Sequence, residues 1–226
     1  MSVTPTALDA LFRSVDLTGV MANAMLGGVM ARGERLDPVG FGTLAIISGL
    51  GGGLIRDTLL QHGPPVALTD YAYILTALAG AAVAFFVRVE GRVWNRVFPV
   101  LDALALGCWA AAGAQKTLGV GLGWLPAILL GTITAVGGGT LRDVLVRRVP
   151  SVLSSELYAI PALVGAAIVV VPARLGTGGP VWVYLGAAAC LLIRLLGVRF
   201  GLEAPHPRSG DAAGPEQTDP GAPDRD

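Results

Sequence analysis

Long apolar runs separated by short polar segments make up most of the chain. The runs occupy residues 15–31, 39–60, 66–87, 98–115, 122–146, 157–173 and 181–200. Most of them are long enough to cross a hydrocarbon core about 30 Å thick as an α-helix, which takes roughly 20 residues. Their apolar character is continuous, whereas the strands of a membrane barrel alternate between apolar and polar residues. The pattern therefore predicts an all-α integral membrane protein with seven transmembrane helices.

The amino-acid composition further limits the class of protein and the partners it could bind. Mean hydropathy is +0.66, with 53% hydrophobic and 14% charged residues, which is too apolar for a soluble domain. The formal net charge is zero, so we expect no nucleic-acid partner. Cys108 and Cys190 fall inside apolar runs and are expected to act as small hydrophobic residues. The only histidines are His62 and His206, so we expect no resident transition-metal site.

The basic residues indicate how the spans are oriented. With the N-terminus outside, the inner segments and inner helix ends carry Arg32, Arg35, Arg88, Arg92, Arg96, Arg147, Arg148, Arg194 and Arg199. The outer segments then carry Arg13, Lys116 and Arg174. The positive-inside rule therefore favours an external N-terminus and a cytoplasmic C-terminus. The first run leads into further spans, so we expect it to stay as a transmembrane helix rather than to be cleaved as a signal peptide.

The chain aligns with itself, without a gap, when it is shifted by 86 positions. Each copy holds three spans, an odd number, so the second copy enters the membrane from the opposite side and the repeat is inverted. The seventh span has no counterpart. The predicted units are an N-terminal segment at 1–14, a first three-helix repeat at 15–90, an inverted second repeat at 98–176, a seventh helix at 180–200 and a disordered cytoplasmic tail at 203–226.

Each repeat carries a glycine triplet in its second span, within "GLGGGLIRD" and "AVGGGTLRD". The triplets are Gly51, Gly52 and Gly53, and Gly137, Gly138 and Gly139. A helical glycine costs about 1 kcal/mol relative to alanine, so packing or function has to offset the triplets. One interpretation is close packing between helices, which small residues permit in membranes. The other is a bend that turns backbone carbonyls toward a water-filled path. Both can hold together.

The same motif places charged residues beyond each triplet. They are Arg56 and Asp57 in the first copy and Arg142 and Asp143 in the second. Charged residues within a span indicate a functional site, and a structural ion pair between helices is the alternative. Adjacent helical residues point about 100° apart, so we expect each Arg and its neighbouring Asp to reach different partners.

Acidic residues also precede or open several spans. Asp16 and Asp102 open the first span of each repeat, and Asp70 and Glu156 precede the third. A carboxylate at a helix N-terminus caps backbone N–H groups and complements the helix dipole, so all four are predicted to be helix-capping or structural acids, with Thr69 and Ser155 as alternative caps of the third spans. Lys116, the only lysine, is predicted to be an interfacial anchor.

The sequence does not match the enzymatic motifs that its glycines and serines suggest. "GLGGGLIRD" does not fit the dinucleotide-binding pattern GxGxxG, because Leu54 occupies its last glycine position. Ser48 and Ser151 lack a His and Asp arrangement that would make either a nucleophile. The protein is therefore predicted not to be an enzyme.

The paired GGGxxRD motifs, with "LDALALGCWAAAGAQ" before the second and "RVPSVLSSELYAIPAL" after it, resemble a known family. It is the bacterial two-repeat membrane family known as the glycine-transporter domain, which is similar to the prokaryotic trimeric intracellular cation channels. The resemblance runs from about Asp16 to Phe200. The Lys-Glu-Val signature of the animal members is absent, since the comparable region reads "GAQKTLG".

The resemblance implies a homotrimeric, potassium-permeable monovalent cation channel in a bacterial or archaeal plasma membrane. Each subunit would hold its own pore, lined by bent second and fifth transmembrane helices, with the motif charges beside it. Its partners would be other copies of the chain, membrane lipid and monovalent cations, with K+ first and Na+ second, and it would need no cofactor. The alternatives are a secondary transporter for glycine or another small solute, and a membrane scaffold whose glycines only pack helices.

Overall fold

The computed structural model describes residues 5–87, 91–153 and 157–202, which form an all-helical bundle. The helices are α1 Pro5–Gly33, α2 Pro38–Leu60, α3 Val66–Thr69, α4 Tyr71–Phe86, α5 Gly91–Gly119, α6 Trp124–Leu145, α7 Ala159–Arg174 and α8 Pro180–Phe200. A short 3-10 turn, Ser151–Leu153, precedes α7. The predicted tail at 203–226 and the predicted cap Glu156 lie outside the described residues.

Seven of these helices correspond to the seven predicted spans. Five segments of the described chain are long and apolar enough to cross a membrane, in α1, α2, α5, α6 and α8. The other two, α4 and α7, are apolar helices of 16 residues, about 24 Å at 1.5 Å per residue. The third predicted span, 66–87, is divided at Asp70 into α3 and α4. The predicted fold class is confirmed.

Contacts between helices follow the inverted repeat. In the first copy α1 packs against α2 and α4, and in the second copy α5 packs against α6 and α7. The copies join through α1 with α5 and through α2 with α6, while α8 packs against α5 and α7. Fully buried alanines fill much of the interior, including Ala24, Ala45, Ala77, Ala110 and Ala162. Small side chains let helix backbones approach closely within a membrane, which suits this packing.

Not all of the acids predicted to cap helices do so in the structure. Asp70 is the N-cap residue of α4, where its Oδ1 accepts a hydrogen bond from the N–H of Ala72 at 3.0 Å. Asp37, which was not predicted, caps α2 in the same way through the N–H of Gly40. The capping role is wrong for Asp16 and Asp102, because each lies about three turns inside a helix that starts earlier than its apolar run.

Candidate functional site

The two glycine triplets meet where α2 crosses α6, a contact we call the glycine crossing. A Cβ atom added at Gly52 would overlap the carbonyl oxygen of Thr134, and one at Gly138 would overlap the carbonyl oxygen of Ser48. At Gly137 an added Cβ would lie 3.2 Å from the Cα of Gly52. The two helices therefore contact each other through backbone, at a distance that only glycine allows.

The third glycine of each triplet has a different environment. An added Cβ at Gly53 would have only one neighbour within 4 Å, the Nη2 of Arg56 at 3.7 Å. At Gly139 the nearest atom would be the hydroxyl of Tyr158, at 3.3 Å. Each triplet thus divides into two glycines that pack helices and one that faces a charged group. Both α2 and α6 stay α-helical throughout, and a bend at either triplet stays a prediction.

Beside Gly53 lies the first charge cluster, which consists of Asp16, Arg56, Asp57, Tyr73 and Lys116. The Nε of Arg56 donates to Asp57 Oδ1 at 2.7 Å, and Arg56 Nη2 lies 3.8 Å from Asp16 Oδ2. Tyr73 donates its hydroxyl to Asp16 Oδ2 at 3.0 Å. Lys116 approaches from α5, with Nζ 2.8 Å from Asp57 Oδ1. Lys116, predicted as an interfacial anchor, thus also completes a buried ion network.

Beside Gly139 lies the second charge cluster, which consists of Asp102, Arg142, Asp143, Tyr158 and Arg194. Nε of Arg142 donates to Asp143 Oδ1 at 2.9 Å, and Tyr158 donates its hydroxyl to Asp102 Oδ1 at 2.9 Å. Arg194 reaches in from α8, with Nη2 3.4 Å from Asp102 Oδ2. Its guanidinium carbon also lies 4.7 Å from the centre of the Tyr158 ring, a cation–π contact.

Each Arg pairs with the Asp that follows it, contrary to expectation, but the two residues also reach different neighbours, as Arg56 approaches Asp16 and Asp57 binds Lys116. The Cα–Cβ bonds diverge, but the long arginine side chain turns back so that Nε reaches the neighbouring carboxylate. The second oxygen of each Asp serves another purpose. Asp57 Oδ2 accepts from the N–H of Val66 at 2.9 Å, at the start of α3, and Asp143 Oδ2 accepts from the N–H of Ser151 at 3.3 Å, at the start of the 3-10 turn.

The clusters differ in how the remaining arginine N–H groups are satisfied. In the second cluster Nη1 of Arg142 donates to Asn23 Oδ1 at 3.5 Å, and Nη2 lies 2.9 Å from Asp143 Oδ1. Asn23 is itself fixed at the glycine crossing, where its Nδ2 donates to the carbonyl of Ser48 at 2.7 Å. The repeat counterpart of Asn23 is Trp109, whose ring offers no such acceptor to Arg56.

Sequence reasoning missed four members of this arrangement: Asn23, Tyr73, Tyr158 and Arg194. A tyrosine does occur in both "TDYAYIL" and "SELYAIP", the segments that contain the predicted caps. Arg194 stands out in the sequence as a base within an apolar span, which is a signal of a functional or structural ion pair. Cys108 and Cys190 are buried free thiols.

The repeat and the site can be compared with those of known proteins. The Glycine transporter family model matches residues 13–88 and again residues 99–174, two matches displaced by the 86-residue offset. The chain belongs to the Glycine transporter family. The matches include both glycine triplets and every member of the charge clusters except Arg194.

Relatives of this family member match over nearly their full length. The UPF0126 inner membrane protein YadS of Escherichia coli is 34% identical over 194 residues, covering 84% of this chain and 93% of YadS. A UPF0126 membrane protein of Streptomyces coelicolor is 48% identical over 208 residues, covering 92% of this chain and 94% of the relative. The protein is thus a multi-pass membrane protein.

Solved structures similar to this Glycine transporter family member are those of trimeric intracellular cation (TRIC) channels. The orthologue from Rhodobacter sphaeroides superposes with a TM-score of 0.78 at 34% identity, over 84% of this chain and 98% of that one. A second TRIC cation channel superposes with a TM-score of 0.80 at 32% identity, over 89% of this chain and 99% of the other. The fold is the TRIC fold, and these structures are of channels, not enzymes.

Proposed function

We propose that the protein is a potassium-permeable monovalent cation channel that assembles as a homotrimer with one pore in each subunit. The observation that carries the proposal is the similarity to solved TRIC cation channels, at 32–34% identity over 98–99% of their length. No cofactor is needed, since passive permeation requires only a wet path and weak ion sites.

The geometry supports a pore along α2 and α6. The two helices are the only ones that carry a glycine triplet, and their contact is made by backbone at the centre of the inverted repeat. A charge cluster lies beside the third glycine of each triplet. In our proposal Gly53 and Gly139 face the permeating ion, while the other four glycines hold the crossing. The buried carboxylates attract cations to the path, and the paired bases keep the ion from binding too tightly.

Orientation and location are also part of the proposal. An external N-terminus places the first charge cluster near the outer surface and the second near the cytoplasm. The distribution of basic residues supports this orientation, and the name of the Escherichia coli relative supports the inner membrane as the location. Membrane lipid surrounds the trimer, whose units are the two three-helix repeats, at 15–90 and 98–176, and the seventh helix.

A secondary transporter for glycine or another small solute is the second candidate, favoured by the name of the matching family. Inverted-repeat transporters also place their substrate site between equivalent helices near the midplane. Such carriers use helix ends exposed by broken helices, whereas α2 and α6 are continuous here. This difference makes the channel the better-supported candidate.

Reconstituted protein separates the two functions. The purified trimer in planar bilayers should give unitary potassium currents, and the same protein in liposomes should take up no radiolabelled glycine above the level of protein-free vesicles. Saturable glycine uptake without unitary currents would replace the channel with the carrier. If protein that elutes as a monodisperse trimer gives neither currents nor uptake, the membrane scaffold becomes the supported function.

A pair of variants tests the pore itself. Gly53→Val adds a branched side chain toward the first charge cluster without entering the glycine crossing, so it should abolish potassium current while the trimer persists. Gly42→Val is the matched control, because an added Cβ at Gly42 in the same helix meets nothing within 4 Å. Equal currents from both variants would remove Gly53 from the ion path.

A further inference from the structure

The guanidinium of Arg56 is buried but incompletely bonded. Its side chain is only 1% exposed. Nε is paired with Asp57, yet neither Nη1 nor Nη2 has a hydrogen-bond partner among the residues that the structure describes. Nη2 lies 3.8 Å from Asp16 Oδ2, too far for a direct hydrogen bond. A buried cation that leaves N–H groups unbonded is costly, so this site calls for another partner.

A small cavity adjoins this guanidinium. It measures about 10 Å³ and is lined by Asp16, Gly53, Arg56, Tyr73 and Trp109, among others. A cavity needs roughly 10–15 Å³ of this kind of volume to hold one water molecule, together with two to four polar partners. The Arg56 N–H groups, the Asp16 carboxylate and the Tyr73 hydroxyl supply those partners. Both the volume and the chemistry therefore fit a single water.

We propose that this cavity is a binding site for one water molecule that bridges Arg56 to Asp16. The water accepts from a Nη group of Arg56 and donates to the carboxylate of Asp16. Tyr73, which already donates to Asp16 Oδ2, holds the carboxylate in place. A polar contact just beyond hydrogen-bond distance is the usual sign of such a bridge. The inference does not depend on the proposed channel, because a carrier or a scaffold could hold the same water.

The charges around the cavity favour water over an ion. Two carboxylates, Asp16 and Asp57, face two bases, Arg56 and Lys116, so the first charge cluster is electrically balanced. A bound anion would meet Asp16 and a bound cation would meet Arg56 at close range, so the charges disfavour a resident ion here, even though the proposed path of a permeating cation runs past the same cluster. A neutral ligand that both donates and accepts avoids both conflicts.

The second charge cluster provides an internal control. There the Nη groups of Arg142 are used by Asn23 and Asp143, both protein groups. Tyr73 and Tyr158 have the same exposure, 6%, and each donates to a buried Asp. The two tyrosines are equally exposed, and they differ in whether the adjacent arginine needs a water.

Radiolytic hydroxyl-radical labelling of the full-length protein in lipid nanodiscs tests the site. X-ray pulses generate radicals from bound water, so a side chain beside an internal water is oxidised even when bulk solvent cannot reach it. Mass spectrometry should find Tyr73 labelled well above Tyr158 in the native protein. Equal labelling of the two tyrosines would overturn the proposal.

The matched variants are Gly53→Ala and its repeat counterpart Gly139→Ala. The methyl group at Gly53 would sit at ordinary contact distance from Arg56 Nη2, on the wall of the cavity, and should lower the labelling of Tyr73 to the level of Tyr158. Gly139→Ala should leave Tyr73 labelling unchanged. If a folded Gly53→Ala protein keeps its full Tyr73 labelling, no water is bound there.

Crystals grown in bromide provide the second readout, which needs no variant. Electron density within hydrogen-bond distance of Arg56 and Asp16, with no anomalous signal, supports water. An anomalous peak at that position would show that the site takes a halide, and would overturn the assignment to water.

Discussion

The two charge clusters share a repeated set of residues but obtain their last charge from different helices. In each cluster the repeat supplies two aspartates and one arginine, which leaves an excess of one negative charge. Lys116 of α5 balances the first cluster by pairing with Asp57, and its side chain is 38% exposed. Arg194 of α8 balances the second by pairing with Asp102, and its side chain is 7% exposed. The two copies thus share their acids but take the balancing base from different helices.

The difference in burial has an energetic consequence. In the Lys116–Asp57 pair of the first cluster only Lys116 is in contact with water, while Asp57 is buried and is also paired with Arg56, so loss of the lysine leaves the carboxylate with a second partner. A buried pair is expensive to break, because removing one partner leaves the other charge without compensation. We therefore expect the second charge cluster to be rigid and intolerant of change, and the first to tolerate exchange of its base.

The largest effect should come from breaking the buried pair of the second charge cluster. Asp102→Asn removes the buried carboxylate that Arg194 and Tyr158 both contact, and should lower the free energy of unfolding by about 3–5 kcal/mol. Asp16→Asn should cost less, because Arg56 keeps Asp57. Unfolding titrations in mixed detergent micelles measure both.

A double variant checks that the cost comes from the pair. Asp102→Asn combined with Arg194→Gln should cost less than the sum of the two single substitutions, because neither charge remains alone. Strict additivity, or equal losses for Asp16→Asn and Asp102→Asn, would remove the proposed contrast between the clusters.

The next largest effect concerns the glycine crossing, where the two halves should behave alike. Gly52→Ala and Gly138→Ala each force a methyl group into a carbonyl oxygen of the facing helix and should cost about 1–3 kcal/mol. Thermal unfolding of the purified protein would show the loss as a lower midpoint for both variants.

Gly42→Ala is the control for that pair. It lies in α2 with open space around the added Cβ, so it should keep the native midpoint or raise it slightly, because alanine has the higher helix propensity. If Gly52→Ala were as stable as Gly42→Ala, the backbone contact at the crossing would be wrong.

The smallest effect on stability is expected at the first charge cluster. Lys116→Gln removes a half-exposed base and leaves Asp57 paired with Arg56, so it should cost less than Asp102→Asn. It also leaves the cluster with a net negative charge, so potassium current through the proposed pore should rise at low ionic strength. The rise should shrink in high salt, where exposed charges are screened.

Arg174→Gln is the matched control for Lys116→Gln. Arg174 is an exposed base at the end of α7 that lies on the same side of the bundle as Lys116 in the proposed orientation. Its loss should leave potassium current unchanged. An equal rise from both variants would indicate a general surface effect and would leave Asp57 without a special role.

Much of the architecture could be predicted from the sequence. Apolar runs of sufficient length define the spans, and a fixed offset of 86 residues reveals the inverted repeat, because both signals are local or periodic. The glycine triplets were predicted to permit close helix packing or a bend, and the structure shows their packing contacts, whereas the bend stays a prediction. The apolar run placed the start of the third span at residue 66, whereas the predicted cap, Asp70, marks the residue at which α4 begins.

The partners of the buried acids could not be predicted. Asp16 binds a tyrosine 57 positions later, whereas Asp102 binds one 56 positions later, so the two tyrosines are not aligned by the repeat. The connections that precede them differ, with a helical turn at α3 in one copy and a 3-10 turn in the other. Arg194 lies in a helix with no counterpart, and only the folded chain brings it to Asp102.

The position of Arg194 near the C-terminal end has a consequence for biosynthesis. Domains and helices are delivered to the membrane in order as the ribosome translates the message. Asp57 meets its lysine once the fourth span has been inserted, whereas Asp102 waits for the last one. A nascent chain released before residue 194 would therefore lack the base that pairs with Asp102 in the folded protein.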